Sequence, residues 1–155
     1  MLIRSFEVGD EPVLRSVFFS SVHDLTGGQY TLEQQSAWAP FEYDQAAWAH
    51  RIRDIQPFLV LMDGAVVGYA DLQPSGYIDH FYVAGAYANR GIGRVLMSHI
   101  HSVAKTNQVN ELWSKVSLTA EPFFSKYGFH VEARNEFLLR GVKMFNATMR
   151  KSMLA

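Results

Sequence analysis

Residues 81–94 of this 155-residue chain read FYVAGAYANRGIGR and place a glycine-rich turn between a short apolar strand and the first residues of a long helix. The first backbone N–H groups of a helix have no partner inside it and lie at the positive end of its dipole. Glycines let a diphosphate come close to these N–H groups, and Arg90 and Arg94 add positive charge. The segment therefore predicts a diphosphate site at the start of the helix.

The same residues exclude two other kinds of phosphate-binding loop. A P-loop requires Gly-Lys followed by Ser or Thr, and Gly93 is followed by Arg94. A dinucleotide-binding fingerprint requires three glycines spaced Gly-x-Gly-x-x-Gly, and this segment supplies only Gly91 and Gly93 at that spacing. A nucleotide-binding enzyme of either kind is therefore not indicated.

The hydrophobic pattern on both sides of this segment predicts the other elements. Before it lie a strand over 2–6, helices that begin after Asp10, Thr31 and Asp44, and a meander of strands over 58–62, 65–73 and 77–83. After it lie a helix down to Asn107, a strand over 112–116, a short helix over 119–127, and a hairpin of 130–139 and 142–149. This order predicts one domain over residues 1–155, of α+β class, with a central, mostly antiparallel sheet flanked by helices.

Composition excludes several function classes. Fourteen basic residues against 15 acidic ones give a net charge of -1, so no overall positive field draws the chain to nucleic acid or to anionic lipid. The absence of cysteine excludes disulfides and a covalent thiol intermediate. No apolar run approaches the roughly 18 residues of a membrane span. His99 and His101 face different directions on a helix, so we expect no metal site, and we expect a cytoplasmic protein.

Two blocks of the sequence resemble motifs of the GNAT superfamily, the acyl-CoA-dependent N-acyltransferases. Residues 88–93, ANRGIG, resemble the family signature Gln/Arg-x-x-Gly-x-Gly/Ala, which follows the fourth strand of that fold. Residues 117–129, SLTAEPFFSKYGF, are similar to the family segment Asn-x-x-Ala-x-x-x-Tyr-x-x-x-Gly-Phe. Both blocks occur in the family's order, on a matching order of strands and helices. The resemblance covers nearly the whole chain and implies the GNAT fold.

The resemblance also implies a site for acetyl-CoA (coenzyme A). In the family, the pantetheine arm lies between the splayed fourth and fifth strands and hydrogen-bonds to the fourth, and the pyrophosphate lies on the loop amides. The thiol end lies beside the second block. Carried over to this chain, the cofactor-binding residues are Phe81, Tyr82, Val83, Asn89, Arg90, Gly91, Ile92, Gly93, Arg94, Ser117 and Phe124.

Three residues depart from the family pattern. Ala88 replaces Gln or Arg at a position where the contacts are mainly through the backbone, and Ser117 replaces Asn with a hydroxyl of shorter reach. Phe124 replaces the Tyr that the family uses to protonate the leaving thiolate, and Phe has no proton to donate. Tyr127, on a neighbouring part of the same helix, is the candidate for that role; the alternative is a packing residue at the helix end.

The implied chemistry is direct attack of a primary amine on the acetyl thioester, with the carbonyl oxygen held by a backbone N–H of the fourth strand. By strand alternation, Asp79 shares a face with Phe81, and its carboxylate is the catalytic candidate for taking the amine proton through water; the alternative is a turn-capping or ion-paired Asp. The same alternation predicts that His80 points to the opposite face, as a hydrogen-bonded core or interface histidine. His23, before the Gly27-Gly28 break, is a further candidate base.

The acceptor is left open between a small-molecule amine and a peptide amine. The aromatic residues between positions 30 and 48 fit either the wall of an acceptor cleft or the helical core. One rival hypothesis is a non-catalytic acyl-CoA-binding or regulatory module, in which Phe124 reflects lost catalysis, and another is a domain that kept the fold without the cofactor. The hairpin over 130–149 offers a strand edge for a homodimer.

Overall fold

The computed structural model describes residues 1–154, which form five α-helices and eight strands. The helices are α1 (Glu11–Leu25), α2 (Leu32–Trp38), α3 (Gln45–Ile55), α4 (Ile92–Thr106) and α5 (Glu121–Lys126). The strands are β1 (Leu2–Ser5), β2 (Phe58–Met62), β3 (Ala65–Ala70), β4 (Tyr77–Ile78), β5 (Phe81–Val83), β6 (Glu111–Ser117), β7 (His130–Leu139) and β8 (Val142–Ser152). A 3-10 helix, Gly85–Tyr87, lies between β5 and α4. None of the helices in this part of the chain is long and apolar enough to cross a membrane.

The strands form two four-stranded sheets, in the orders β1-β2-β3-β5 and β4-β6-β8-β7. Every pair is antiparallel except β4 and β6, which run parallel. The predicted class, α+β with a mostly antiparallel sheet flanked by helices, is confirmed. Helix α4 packs on one side with Leu96 and Ile100, and α1 and α3 pack on the other with Leu14 and Ile52.

The helix starts follow the predicted capping residues, with one difference. At α2, the Thr31 hydroxyl accepts from Gln34 N at 3.1 Å, and the Gln34 side chain accepts from Thr31 N at 2.9 Å, so the capping box is formed. At α3, Asp44 accepts from Ala47 N at 3.0 Å. Asp10 precedes α1, but its carboxylate binds Arg4 at 2.8 Å instead of a helix N–H.

The predicted strand over 77–83 is wrong as a single strand, because the chain breaks at Asp79 and His80. The buried Asp71 carboxylate accepts from the backbone N–H of Asp79 at 2.9 Å and of His80 at 2.6 Å, which replaces ladder hydrogen bonds at that point. The residues before the break form β4, which pairs with β6, and those after it form β5, which pairs with β3. The two sheets therefore separate here, and a gap opens between β5 and β6.

Candidate functional site

The turn before α4 presents a row of free backbone donors. None of the six N–H groups from Asn89 to Arg94 donates to a protein acceptor within residues 1–154. Asn89 has φ 59° and Gly91 has φ 81°, which are left-handed values that Asn and Gly tolerate best. The side chains of Arg90 and Arg94 are exposed and form no ion pair with the described residues. Six free N–H groups beside two guanidinium groups that form no ion pair are an arrangement suited to a multiply charged anion.

The loop residues differ in what they offer to such an anion. The side chain of Ile92 is 1% exposed and belongs to the core, so only its backbone N–H is available. Gly93 lies against an aromatic ring, and a Cβ at this position would come within 3.2 Å of Phe123. All six residues predicted for the diphosphate thus lie together at the start of α4, where their backbone N–H groups are free.

Strand β5 has one free edge, which faces the gap toward β6. Ala84 N donates to Val67 O at 2.8 Å, and Asp71 N donates to His80 O at 3.1 Å, so the even-numbered residues here bond toward β3. Because backbone groups alternate along an antiparallel strand, Phe81 and Val83 point their N–H and C=O groups into the gap. An extended ligand can therefore hydrogen-bond to β5 as an added strand.

An apolar cleft of about 160 Å³ runs along this edge between α1, α4 and α5. Its walls include Val22, Phe81, Val83, Gly93, Phe123 and Phe124. Phe124 is 2% exposed, and its ring centre lies 5.4 Å from that of Phe81. The predicted pantetheine residues and Phe124 therefore share one cleft, which begins at the free N–H groups of the loop.

A second cleft, of about 330 Å³, opens on the other side of the gap, and we call it the polar cleft. It has a charged part formed by Arg51, Asp79 and Lys115. Its aromatic walls include Tyr30, Trp38, Tyr77, Tyr82, Phe137 and Phe145. A cleft of this volume, with rings and a few polar groups, is of the size that holds a small ligand.

The two clefts meet at a junction formed by Trp38, Tyr82 and Ser117. These three residues line both clefts and also the passage of about 50 Å³ between them. Ser117 Oγ accepts from Ala120 N at 3.1 Å, which leaves the hydroxyl proton for another partner. Burial raises the pKa of Tyr82 well above its usual value, an effect only partly offset by a hydrogen bond with Trp38, so its phenol stays protonated.

Asp79 lies in the polar cleft and also lines the passage to the junction. Its carboxylate pairs with Arg51 at 2.7 Å, and its side chain is 15% exposed. The neighbouring Tyr77 is half-buried, and its partial burial together with the charges of Asp79 and Asp71 raises the pKa of its phenol to about 12. Burial likewise raises the pKa of Asp71, which lies behind the cleft wall, to about 6. Asp79 is thus the acidic side chain in the wall of this cleft.

His80 lies on the face opposite Phe81, as predicted: its ring centre is 5.5 Å from that of Tyr82, whereas the Phe81 ring packs on Phe124. The break in the strand lets both Asp79 and His80 line the polar cleft. Nδ1 of His80 lies 2.9 Å from the Tyr69 hydroxyl, and its ring is 9% exposed. Burial lowers the pKa of His80 to about 4, so the imidazole is neutral at pH 7.

Two other predicted candidates lie outside the walls of both clefts. The Tyr127 ring packs on Phe123 at 4.9 Å between ring centres, and its carbonyl accepts from Lys151 Nζ at 2.6 Å. Nε2 of His23 lies 2.8 Å from Ala39 O, and its ring stacks on Phe19. Within residues 1–154, no group of three His, Cys, Asp or Glu side chains is arranged to hold a metal ion.

Sequence reasoning missed three polar residues of the polar cleft, namely Arg51, Lys115 and Asn146. A signal existed for Lys115, since strand alternation places it on the same face as Ser117. No local pattern marks Arg51 or Asn146, because α3 and β8 reach this cleft only when the helical layer and the terminal hairpin fold against the gap.

Comparison with known proteins agrees with this geometry. Residues 27–152 match the family model described as an acetyltransferase (GNAT) domain. Over 148 residues, the chain is 28% identical to the uncharacterized N-acetyltransferase YafP of Escherichia coli K12, covering 96% of this chain and 93% of that protein.

Two solved structures show the same fold. One is a Rhodopseudomonas palustris protein described as a GCN5-related N-acetyltransferase and as a class-II aminotransferase. It is 31% identical, with a TM-score of 0.93 and coverage of 98% of this chain and 95% of that one. PaiA N-acetyltransferase of Thermoplasma acidophilum, in complex with coenzyme A, is 18% identical, with a TM-score of 0.75 and coverage of 97% and 98%. The second likeness concerns the fold alone.

Proposed function

The chain belongs to the GNAT acetyltransferases, and we propose that it transfers an acetyl group from acetyl-CoA to a primary amine without a covalent enzyme intermediate. One observation carries this proposal. A row of six free N–H groups leads into an apolar cleft along a free strand edge, and that cleft meets a polar cleft at Trp38, Tyr82 and Ser117. This is the geometry needed to bring a long thioester and a separate amine together at one point.

For the cofactor, we propose that the pyrophosphate lies on the N–H groups from Asn89 to Arg94, with Arg90 and Arg94 beside it. The pantetheine arm hydrogen-bonds to the gap-facing groups of Phe81 and Val83, and its thiol end reaches the junction that the Tyr82 side chain lines. The thioester then lies at the junction beside Ser117 and Phe124. Every predicted cofactor residue has a place in this arrangement, Ile92 through its backbone.

In the reaction, the amine nitrogen forms a bond to the acetyl carbon, and the bond from that carbon to the CoA sulfur breaks. A gap-facing N–H of β5 is placed to hold the carbonyl oxygen as charge develops on it. We propose that Asp79 takes the amine proton through water, from the polar cleft. The amine must lose this proton because only its neutral form carries a lone pair for attack.

The leaving thiolate needs a hydrogen-bond donor, and Phe124 supplies none. Tyr127 was the candidate from the sequence, but it lines neither cleft. Tyr82 keeps its proton and lies at the junction, as does the Ser117 hydroxyl. We therefore propose Tyr82, with Ser117, as the donor to the thiolate, and comparison of Tyr82→Phe with Tyr127→Phe separates the two assignments.

A thermal-shift titration with acetyl-CoA, CoA and NAD, followed by thiol release with a panel of amines, tests the proposal. At about 100 times the dissociation constant, a ligand stabilises the folded state by about 2.7 kcal/mol, which raises the midpoint by several degrees in a chain of this size. We expect a shift with both CoA species and none with NAD. The absence of a shift with CoA would refute the cofactor site.

A matched pair of variants places the site on the molecule. Arg94→Ala should weaken CoA binding about tenfold or less, because it removes one exposed cation beside the pyrophosphate. Lys105→Ala, at the far end of the same helix and outside both clefts, should leave binding unchanged. A shift with CoA but no thiol release with any amine would favour the alternative, a non-catalytic acyl-CoA-binding or regulatory module in which Phe124 marks lost catalysis.

We also propose that residues 1–155 form a single acetyltransferase domain and that β7 is the edge for a homodimer. In residues 1–154, β7 pairs only with β8, so its other edge is open, and Leu138 is 73% exposed beside it. Light scattering after gel filtration at several concentrations would measure the mass of the particle. The cytoplasmic location and the lack of nucleic-acid or membrane partners stay predictions from composition.

A further inference from the structure

The polar cleft contains a histidine whose outer nitrogen has no partner. Nδ1 of His80 is engaged by the Tyr69 hydroxyl, whereas Nε2 bonds to no described residue. No fully buried side-chain nitrogen or oxygen in residues 1–154 lacks a partner, so Nε2 must be accessible, and His80 borders the polar cleft. Nε2 is therefore available to a ligand in that cleft.

The environment of Tyr69 shows which atom of His80 carries the proton. Tyr69 is fully buried, and burial raises the pKa of its phenol well above the usual value, so the phenol is protonated. Its hydroxyl has no other partner among the described residues. If Nδ1 carried the proton, the buried O–H would have no acceptor, which is costly. Tyr69 therefore donates to Nδ1, and Nε2 carries the imidazole proton, as a donor toward the cleft.

Two more donors in the same cleft are free. The Lys115 ammonium group forms no ion pair or hydrogen bond with residues 1–154, although it borders the cleft. Asn146 accepts from Asn135 Nδ2 at 2.9 Å through its Oδ1, which leaves its own NH₂ group unpaired. The acid in the wall is different, since one oxygen of Asp79 is paired with Arg51. The open polar groups of this cleft are thus mainly donors.

These contacts distinguish between classes of amine that could receive the acetyl group. A polyamine or a lysine side chain brings only cationic or donor groups and needs several free acids, and the wall supplies one acid that is already paired. A substrate carboxylate supplies oxygens that accept hydrogen bonds from His80, Lys115 and Asn146. The rings of Tyr30, Phe137 and Phe145 add apolar wall for a side group. The Asp79 carboxylate, paired with Arg51 and beside the Tyr77 phenol, is the acid near the amine.

Resting on the proposed function, we infer that the acceptor is an amine that also carries a carboxylate and an apolar or aromatic side group, as an amino acid does. The carboxylate is bound by Lys115, His80 Nε2–H and Asn146, and the amine lies toward Asp79 and the junction. The positive charge of Lys115 and Arg51 also disfavours an ammonium in the cleft, and so increases the fraction of acceptor in the reactive neutral form.

The test uses matched amines with and without a carboxylate. L-phenylalanine is compared with phenethylamine, L-leucine with isoamylamine, and spermidine serves as the polycation, with thiol release from acetyl-CoA as the readout. We expect kcat/KM to be at least tenfold higher for the carboxylated member of a pair. Higher values for phenethylamine, isoamylamine or spermidine would overturn the inference while the acetyltransferase function stands.

Variants assign the preference to the proposed donors. Lys115→Met should reduce the ratio of kcat/KM within a pair about tenfold, mainly by raising KM for the carboxylated amine. Asn146→Asp keeps the acceptor for Asn135 and should reduce the ratio further by adding a negative charge. Lys105→Met, an exposed lysine outside the clefts, should leave the ratio unchanged. If the ratio of kcat/KM within a pair is equal in the wild type and all three variants, the assignment of the preference to these donors is overturned.

Calorimetric binding of L-phenylalanine to the complex with CoA separates this inference from the proposed function, since it requires no turnover. Binding that Lys115→Met weakens, without thiol release, would support the acceptor class and refute catalysis. Thiol release with amines that lack a carboxylate, without binding of L-phenylalanine, would support catalysis and refute the proposed acceptor class. Failure of CoA itself to bind would refute the proposed function.

Discussion

Replacement of His80 by Gln should change how the stability of the protein depends on pH. The pKa of His80 is lowered to about 4 by burial, from 6.5 for an accessible histidine. Below pH 6.5 the unfolded chain binds a proton that the folded protein does not, so the free energy of unfolding falls as the pH decreases toward 4. Each pH unit in this range is equivalent to about 1.36 kcal/mol, which gives a loss of about 2 kcal/mol between pH 7 and pH 5.

Asp71 hides this effect in the wild-type protein because its shift acts in the opposite direction. Its folded pKa of about 6 exceeds the ordinary 3.8, so the folded protein binds the proton first and gains stability as the pH falls from 6. The contributions of the Asp71 carboxyl and the His80 imidazole to the free energy of unfolding therefore offset each other in a simple pH scan. Comparison with His80→Gln removes the imidazole and keeps Asp71, so the difference between the proteins isolates the His80 contribution.

Urea unfolding followed by tryptophan fluorescence at pH 7 and pH 5 measures that difference. At pH 7 the variant should be about 1 kcal/mol less stable, because it loses the hydrogen bond to Tyr69. At pH 5 it should be about 1 kcal/mol more stable than the wild type. Tyr69→Phe is the control, since it removes the same hydrogen bond but keeps the imidazole. A difference between wild type and His80→Gln that does not change with pH would refute the reasoning.

Three further predictions concern the loop, the junction and the link between the clefts and the hairpin. Tyr82→Phe should lower kcat by about 10²-fold or more at unchanged CoA affinity, and Tyr127→Phe should lower it little; the opposite order in steady-state kinetics would restore Tyr127 as the donor. Gly91→Ala, at φ 81°, should lower the free energy of unfolding in urea by about 1–2 kcal/mol. It should also weaken CoA binding in a thermal-shift titration, and an unchanged CoA affinity would contradict this prediction. Tyr30→Phe removes a hydroxyl that donates to Phe145 O at 2.5 Å and accepts from Leu118 N at 3.0 Å, so it should destabilise by about 1–3 kcal/mol; a neutral effect on the thermal midpoint would show that water replaces it.

Several elements could be predicted from the local sequence because interactions between nearby residues determine them. The capping box of Thr31 and Gln34, the cap at Asp44 and the hairpin at Asp63-Gly64 each depend on residues within a few positions of one another. The free N–H groups from Asn89 to Arg94 follow in the same way, since a glycine-containing turn before an amphipathic helix leaves them without acceptors. These features were predicted with nearly the right boundaries.

The break between β4 and β5 could not be predicted, because it depends on the Asp71 carboxylate, which precedes Asp79 and His80 by eight and nine residues. Asp71 lies at the end of the predicted strand 65–73, and nothing in its neighbours shows that its side chain binds the backbone of Asp79 and His80. Strand alternation alone would place Asp79 and His80 on opposite faces, whereas in the folded chain both line the polar cleft. That they share one cleft thus depended on a contact that only the folded chain makes.

The residue order was enough to identify the family, the element order and the cofactor loop, because glycine geometry, capping and hydrophobic period act over short distances. Folding decided the composition of the polar cleft. Its walls take Tyr30 from the loop before α2, Arg51 from α3, Lys115 from β6 and Asn146 from β8, residues separated by up to 116 positions. They meet only because the two sheets separate at Asp79 and His80 and the helices and the terminal hairpin close around that gap.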